Sequence, residues 1–213
     1  MIISRPQPAV ERAEPIVYVI DDDDSLRGAL VSLFRSVGFH VQSFSSAEEL
    51  LKHDLPEVPS CLVLDVRLQG ISGLDLQLQL SDLKDKLPII FMSGHGDIAM
   101  TVRAMKAGAL DFLPKPFREQ DLLDAVASAL TSSKLSRESS QAHMKLEERY
   151  AKLTTRERQI MTLAVSGLMN KNIAAELDLR EITVKIHRRS AMIKMSAKSF
   201  AELVKMGNDL NLV

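Results

Sequence analysis

Apolar residues fall into two regimes along this chain. From residue 16 to 113 short apolar runs alternate with amphipathic stretches, and beyond 153 only helical spacing occurs. Strands are predicted over 16–20, 40–44, 61–65, 88–92 and 109–113. Val17-Tyr18-Val19-Ile20 and Cys61-Leu62-Val63-Leu64 show no polar alternation, the mark of strands covered on both faces in a parallel sheet. Helices are predicted between them over 25–36, from Ser46, over 74–80, 97–107 and 119–130, with stops at Gly38 and Gly108. Ser46, followed three residues later by Glu49, has the form of a capping box. Five such βα units predict an α/β, doubly wound, five-stranded parallel sheet.

The pattern changes after residue 130. Residues 131–151 carry Thr131-Ser132-Ser133, Ser136, Ser139 and Ser140 among mixed charges, which suits a solvated linker or a helical spacer. Helices are then predicted over 155–166, from Asn170, over 181–195 and over 199–210. A short helix, a tight turn at Asp178-Leu179-Arg180 and a basic helix make the layout of a helix-turn-helix. The expected organisation is a flexible N-terminal tail over 1–14, an α/β domain over 15–130, the linker over 131–151, and a small all-α four-helix domain over 152–213.

Charge divides the same way. Residues 1–130 hold 12 Lys and Arg against 19 Asp and Glu, whereas 151–213 hold 11 against 6. An acidic half joined to a basic half implies different partners, with nucleic acid expected for the basic one. The single cysteine, Cys61, lies inside an apolar run, which excludes a disulfide scaffold. No apolar run approaches the ~18 residues that span a bilayer, and a cytoplasmic protein without membrane partners is expected.

The candidate chemistry sits where strands end. The first strand runs into Asp21-Asp22-Asp23-Asp24 and the third ends on Asp65. Open α/β sheets bind their ligands at this carboxyl edge. Converging carboxylates repel one another, and a hard divalent cation such as Mg²⁺ (or Mn²⁺) relieves that through oxygen ligands. One carboxylate can then attack phosphorus as a nucleophile. Ser93, ending the fourth strand, adds a hydroxyl, and Lys115, after the fifth, adds a cation for phosphoryl oxygens.

With Ile20-Asp21-Asp22-Asp23, Leu64-Asp65-Val66-Arg67, Met92-Ser93-Gly94 and Phe112-Leu113-Pro114-Lys115-Pro116-Phe117 in this order, residues 15–130 resemble the receiver domain of two-component response regulators. The resemblance implies a flavodoxin-like sheet of order 2-1-3-4-5. It implies that Asp65 accepts phosphate from a sensor histidine kinase, and that Asp21, Asp22, Asp65 and the carbonyl of Arg67 hold Mg²⁺. Ser93, Phe112 and Lys115 would sense the phosphate, and the Lys115–Pro116 bond would be cis. Gln69 departs from the proline common there.

Leu153-Thr154-Thr155-Arg156-Glu157, Gly167-Leu168-Met169-Asn170-Lys171-Asn172-Ile173-Ala174 and Thr183-Val184-Lys185-Ile186-His187 resemble the LuxR-type helix-turn-helix. Periodicity alone would bury Ile182, Ile186 and Ile193 of the basic helix. The resemblance implies the reverse: Val184 and Met195 inward, with Lys185, Ile186 and Arg189 toward the major groove of double-stranded DNA. Lys171, Thr183, His187, Arg188 and Lys198 are then expected at phosphates. Arg180 stands where a capping serine is usual, and Ala191 where a branched residue is.

Together the two halves resemble response regulators of the FixJ/NarL class. This implies a regulator whose catalysis is limited to Mg²⁺-dependent self-phosphorylation and dephosphorylation at Asp65. It also implies homodimerisation through the 97–130 face, and RNA polymerase as a further partner in transcriptional activation. Three alternatives have sequence handles. Gly94-His95-Gly96-Asp97-Ile98-Ala99 fits a dinucleotide loop, but the fifth strand ends in Leu113-Pro114-Lys115 rather than an acid. A phosphohydrolase would need a general acid near Asp65, where Arg67 stands. A receiver working without phosphate would keep its output in Asp65→Asn.

Overall fold

The computed structural model describes residues 14–83, 86–94 and 98–212. His95, Gly96, Asp97 and all of the expected tail but Glu14 lie outside the described residues. Two compact units divide at residues 137 and 138.

The first unit is a five-stranded parallel sheet of β1 (Ile16–Ile20), β2 (His40–Phe44), β3 (Ser60–Asp65), β4 (Ile89–Ser93) and β5 (Asp111–Pro114), in the expected order 2-1-3-4-5. The helices that follow the strands are α1 (Asp24–Ser36), α2 (Ala47–Leu51), α3 (Gly73–Gln79), α4 (Ile98–Lys106) and α5 (Glu119–Ala151). β1, β3 and β4 are buried throughout, as their unbroken apolar runs demand. Strand period two sends Tyr18, Ile20, Leu62, Leu64 and Phe91 to one face, against Leu50, Leu76 and Ala104 of α2, α3 and α4. Val17, Val19, Val63, Ile90 and Met92 meet Leu30 and Phe34 of α1 and Leu122 and Val126 of α5 on the other. Cys61 is buried there, and burial pushes its thiol far above the usual range.

Local capping departs from expectation at α2. The Ser46 hydroxyl accepts from the Glu49 amide, but the Glu49 carboxylate accepts from the N–H and hydroxyl of Ser45, one residue beyond the capping box. A serine immediately before the cap offers two donors where the cap's own backbone offers one.

α5 runs unbroken through residue 151. Ser133, in the serine-rich stretch, is buried; its hydroxyl donates to the Lys86 carbonyl at 2.5 Å and accepts from the Ser60 amide at 3.1 Å. These bonds tie α5 to the start of β3 and to the segment before β4.

The second unit comprises the end of α5 with α6 (Thr155–Val165), α7 (Asn170–Glu176), α8 (Glu181–Met195) and α9 (Phe200–Asp209). Thr154 and Glu157 form a complete capping box at α6. Asp178, at a φ of +52°, makes the turn between α7 and α8. Val184, Ala191 and Met195 are the buried residues of α8, whereas Ile182, Ile186 and Ile193 are each more than half exposed. Periodicity therefore misassigns this helix. Both stripes are apolar, and only the positions of α6, α7 and α9 decide which one is covered.

Candidate acidic site and nucleic-acid interface

The parallel register sets β1, β3, β4 and β5 side by side, so their carboxyl ends form one edge. Carboxylate oxygens of Asp21, Asp22 and Asp65 lie within 4.8 Å of one another there. Asp21 is fully buried, Asp65 nearly so, and Asp22 lies nearer solvent. Backbone amides orient the two buried acids, with Asp23 N–H donating to Asp21 Oδ1 and Arg67 N–H to Asp65 Oδ1, both at 2.9 Å. Lys115 Nζ bridges them, 3.0 Å from Asp21 Oδ2 and 2.6 Å from Asp65 Oδ2. Its backbone is fixed in turn by a 2.7 Å bond from Lys115 N–H to the Ser93 carbonyl. The Lys115–Pro116 bond is cis.

Electrostatics follows from this crowding. Burial pushes the Asp21 carboxyl above the usual range, against the opposing pull of Lys115 and the Asp23 amide. Burial would lower the Lys115 ammonium, but hydrogen bonds and charge from Asp65 and Asp21 outweigh it and raise it. The lysine thus stays charged between the two acids. Ser93 is buried at the end of β4. Phe112, half-buried on β5, faces the Phe91 ring with centroids 6.3 Å apart.

Two contacts at this edge escape the sequence motifs. Arg27 Nη1 on α1 donates to the Asp21 carbonyl at 2.6 Å and its other arm pairs with Asp24. Gly73, starting α3, passes so close to β3 that a Cβ there would lie 2.5 Å from the Asp65 carbonyl oxygen. Only glycine permits that approach.

In the second unit α8 exposes Lys185, Ile186 and Arg189, while Thr183 and His187 are half-buried beside them. Lys171 on α7 and Lys198 after α8 are exposed too. Arg188 behaves differently: its guanidinium stacks 3.8 Å from the Phe200 ring centroid and donates to Asn170 Oδ1 at 2.9 Å. No side-chain cap stands at Arg180, as its replacement of serine implies. Behind the helix, buried Glu157 accepts from Ser190 Oγ at 2.6 Å and Lys194 Nζ at 2.7 Å. Burial alone would raise the Glu157 carboxyl, but these donors and Thr154 hold it at about 2.

Residues 17–127 match the response regulator receiver domain, and residues 151–207 match the bacterial regulatory proteins of the luxR family. Nodulation protein W of Bradyrhizobium diazoefficiens is 53% identical over 197 residues, covering 92% of this chain and 87% of that protein. The chain is a two-component response regulator. As such it is a transcription regulator with a LuxR-type DNA-binding domain, a family whose partners are a histidine kinase and DNA. The response regulator protein TodT of Pseudomonas putida is 46% identical, over 90% of this chain and 84% of that one. Among solved structures, the response regulator StyR superposes with a TM-score of 0.81 at 49% identity, covering 92% of this chain and 99% of that one.

The regulator's acidic cluster suits a hard cation by its donors: three carboxylates in mutual reach, of which two are buried and one opens to solvent for exchangeable water. Among the described residues, that cluster holds no nitrogen or sulfur ligand that would favour a softer metal. Among the described residues, no helix is long and apolar enough to cross a membrane.

Proposed function

We propose that Asp65 is the phosphoacceptor of this regulator and that its modification controls pairing and DNA binding. The observation that carries this reading is the ion-paired trio itself, in which Lys115 Nζ sits between Asp65 Oδ2 and Asp21 Oδ2. An Asp65 oxygen attacks the phosphorus of a phosphohistidine on the kinase. The P–O bond forms, the P–N bond breaks, and the histidine nitrogen leaves. Water later cleaves the acyl phosphate, so self-phosphorylation from small donors and dephosphorylation complete the chemistry.

Asp21, Asp22, Asp65 and the Arg67 carbonyl would hold Mg²⁺ (or Mn²⁺), which supplies charge neutralisation at the phosphoryl oxygens. Lys115 pairs with one of those oxygens in place of the Asp65 carboxylate. Ser93 turns its hydroxyl to another, and Phe112 moves against Phe91 in the space so released. This biases two receiver conformations rather than making a new one.

The surface that reads the bias is the 97–130 face. Of its described residues, Ile98, Val102 and Met105 recur at helical spacing on α4 and are 80%, 44% and 43% exposed. An exposed apolar stripe of this kind suits an isologous homodimer. Two paired DNA-binding domains would then meet two half-sites. Lys185, Ile186 and Arg189 read base edges, while Lys171, Thr183, His187 and Lys198 contact phosphates. Arg188, engaged by Phe200 and Asn170, has the weakest claim on a phosphate. Recruitment of RNA polymerase in the cytoplasm, and activation rather than repression, complete the proposal. The domain limits that fit it are a receiver over 15–130 and a DNA-binding domain over 152–213, joined by 131–151.

Sedimentation and DNA binding of the full chain, before and after treatment with a small phosphodonor, test it. The expected outcome is a doubled mass and at least tenfold tighter binding to a paired-site fragment, both lost in Val102→Glu. An unchanged mass and affinity on fully phosphorylated protein would overturn the dimerisation step.

A further inference from the structure

A cavity of about 110 Å³ lies at the opposite, amino-terminal end of the receiver sheet, lined by Tyr18, Leu55, Glu57, Ser60, Lys86, Leu87 and Arg137. Tyr18 is fully buried, and its hydroxyl has no hydrogen-bond partner. Arg137 Nε, on α5, is likewise buried without a partner. Two such orphans in one cavity are unusual, since a buried polar group without a partner costs about 1–3 kcal/mol. Their chemistry is the same. A guanidinium N–H can only donate, and burial raises the Tyr18 hydroxyl above the usual tyrosine range, which keeps its proton on.

The surroundings fix the geometry. Phe44 and His53 hold the Tyr18 ring, each with centroids 6.3 Å away. Ser133 clamps α5 to the backbone of Ser60 and Lys86, so Arg137, one turn further along that helix, is held in place beside the cavity. The Ser60 hydroxyl donates to the Val58 carbonyl, leaving its lone pairs. Lys86 adds a second cation, against one carboxylate from the exposed Glu57. Donors and positive charge therefore predominate over acceptors in a space of three or four waters, at about 30 Å³ each.

We propose that this cavity binds one small oxyanion, a phosphate or a carboxylate group, through Tyr18 Oη, Arg137 Nε and the Lys86 ammonium. The bound anion satisfies both orphaned donors by charge-assisted hydrogen bonds. It links β1, the segment before β4 and α5. This site is independent of Asp65 and of its modification.

The chain has no tryptophan and two tyrosines, so in full-length Tyr150→Phe the intrinsic emission reports Tyr18 alone. Titration with inorganic phosphate or with acetate, at constant ionic strength set by chloride and without Mg²⁺, should change that emission saturably. A response to both anions assigns a general oxyanion site, and a response to one assigns the class. Arg137→Gln should weaken binding at least tenfold, and Glu57→Gln, by removing the opposing charge, should tighten it. Separately, Tyr18→Phe, which removes the orphaned hydroxyl and its cost, should melt at or above the wild-type temperature without anion and lose the rise that the wild type shows with it. A non-saturating change, the same change in chloride, or an equal response in Arg137→Gln would overturn the proposal and leave the cavity to water.

Discussion

Two glycines show how differently one methyl group acts in this molecule. At Gly73 a Cβ would meet the Asp65 carbonyl oxygen at 2.5 Å and the Phe91 ring at 3.1 Å. The first of these atoms is backbone and cannot rotate away. Gly73→Ala should therefore cost roughly 1–3 kcal/mol in urea unfolding and slow phosphorylation by moving β3 off α3. Gly28, within α1, has nothing within 4 Å of its Cβ position. Gly28→Ala should stabilise by about 0.5–1 kcal/mol in the same measurement. Glu157 carries the residue-scale pH dependence. Its folded pKa of about 2 lies below the ordinary 4.5, so the unfolded chain takes up the proton first. Its contribution is complete above pH 4.5 and is lost as pH falls toward 2. Unfolding followed through Tyr150, in this unit's core, in a Tyr18→Phe background should lose stability across that window with Glu157 in place. Glu157→Gln should be weaker at neutral pH and flatter across it; identical pH profiles would contradict the assignment.

α8 shows at the scale of an element what a sequence can and cannot convey. Its limits and basic character are plain in the chain, but its two apolar stripes are equally good cores by spacing. The choice depends on α6, α7 and α9, which periodicity does not place, and the likeness to a known domain resolves it correctly. The stripes make opposite predictions. Met195→Ala should destabilise the DNA-binding unit by about 2–5 kcal/mol. Ile193→Ala, at a position 68% exposed, should stay within about 0.5 kcal/mol of wild type in thermal unfolding. At the acidic edge, Asp21, Asp22, Asp65, Ser93 and Lys115 were legible because buried apolar strands must end somewhere, and polar groups there stand out. Arg27 at the Asp21 carbonyl, Ser133 under the sheet and Arg188 on Phe200 were not. Each is an ordinary polar residue on a helix, and its partner is set by packing rather than by local pattern.

At the scale of the whole molecule, an acidic receiver and a basic helix-turn-helix unit share one chain, and the basic charge suits the DNA that a LuxR-type domain binds. The receiver concentrates negative charge at Asp21, Asp22 and Asp65, where the proposed function places a cation and a phosphoryl group, and Lys115 Nζ bridges two of these acids. The DNA-binding unit keeps Lys185 and Arg189 exposed around a helix whose inner face is locked by Val184, Ala191 and Met195. In the coupling proposed between them, Asp65 carries a reversible charged group. The most direct measurement is the intact mass and labelled position after incubation of the full chain with Mg²⁺ and a small phosphodonor. One phosphoryl group per chain at Asp65, absent in Asp65→Asn and dependent on Mg²⁺, is the predicted result. A chain that remains unlabelled, or one labelled equally in Asp65→Asn, would contradict it.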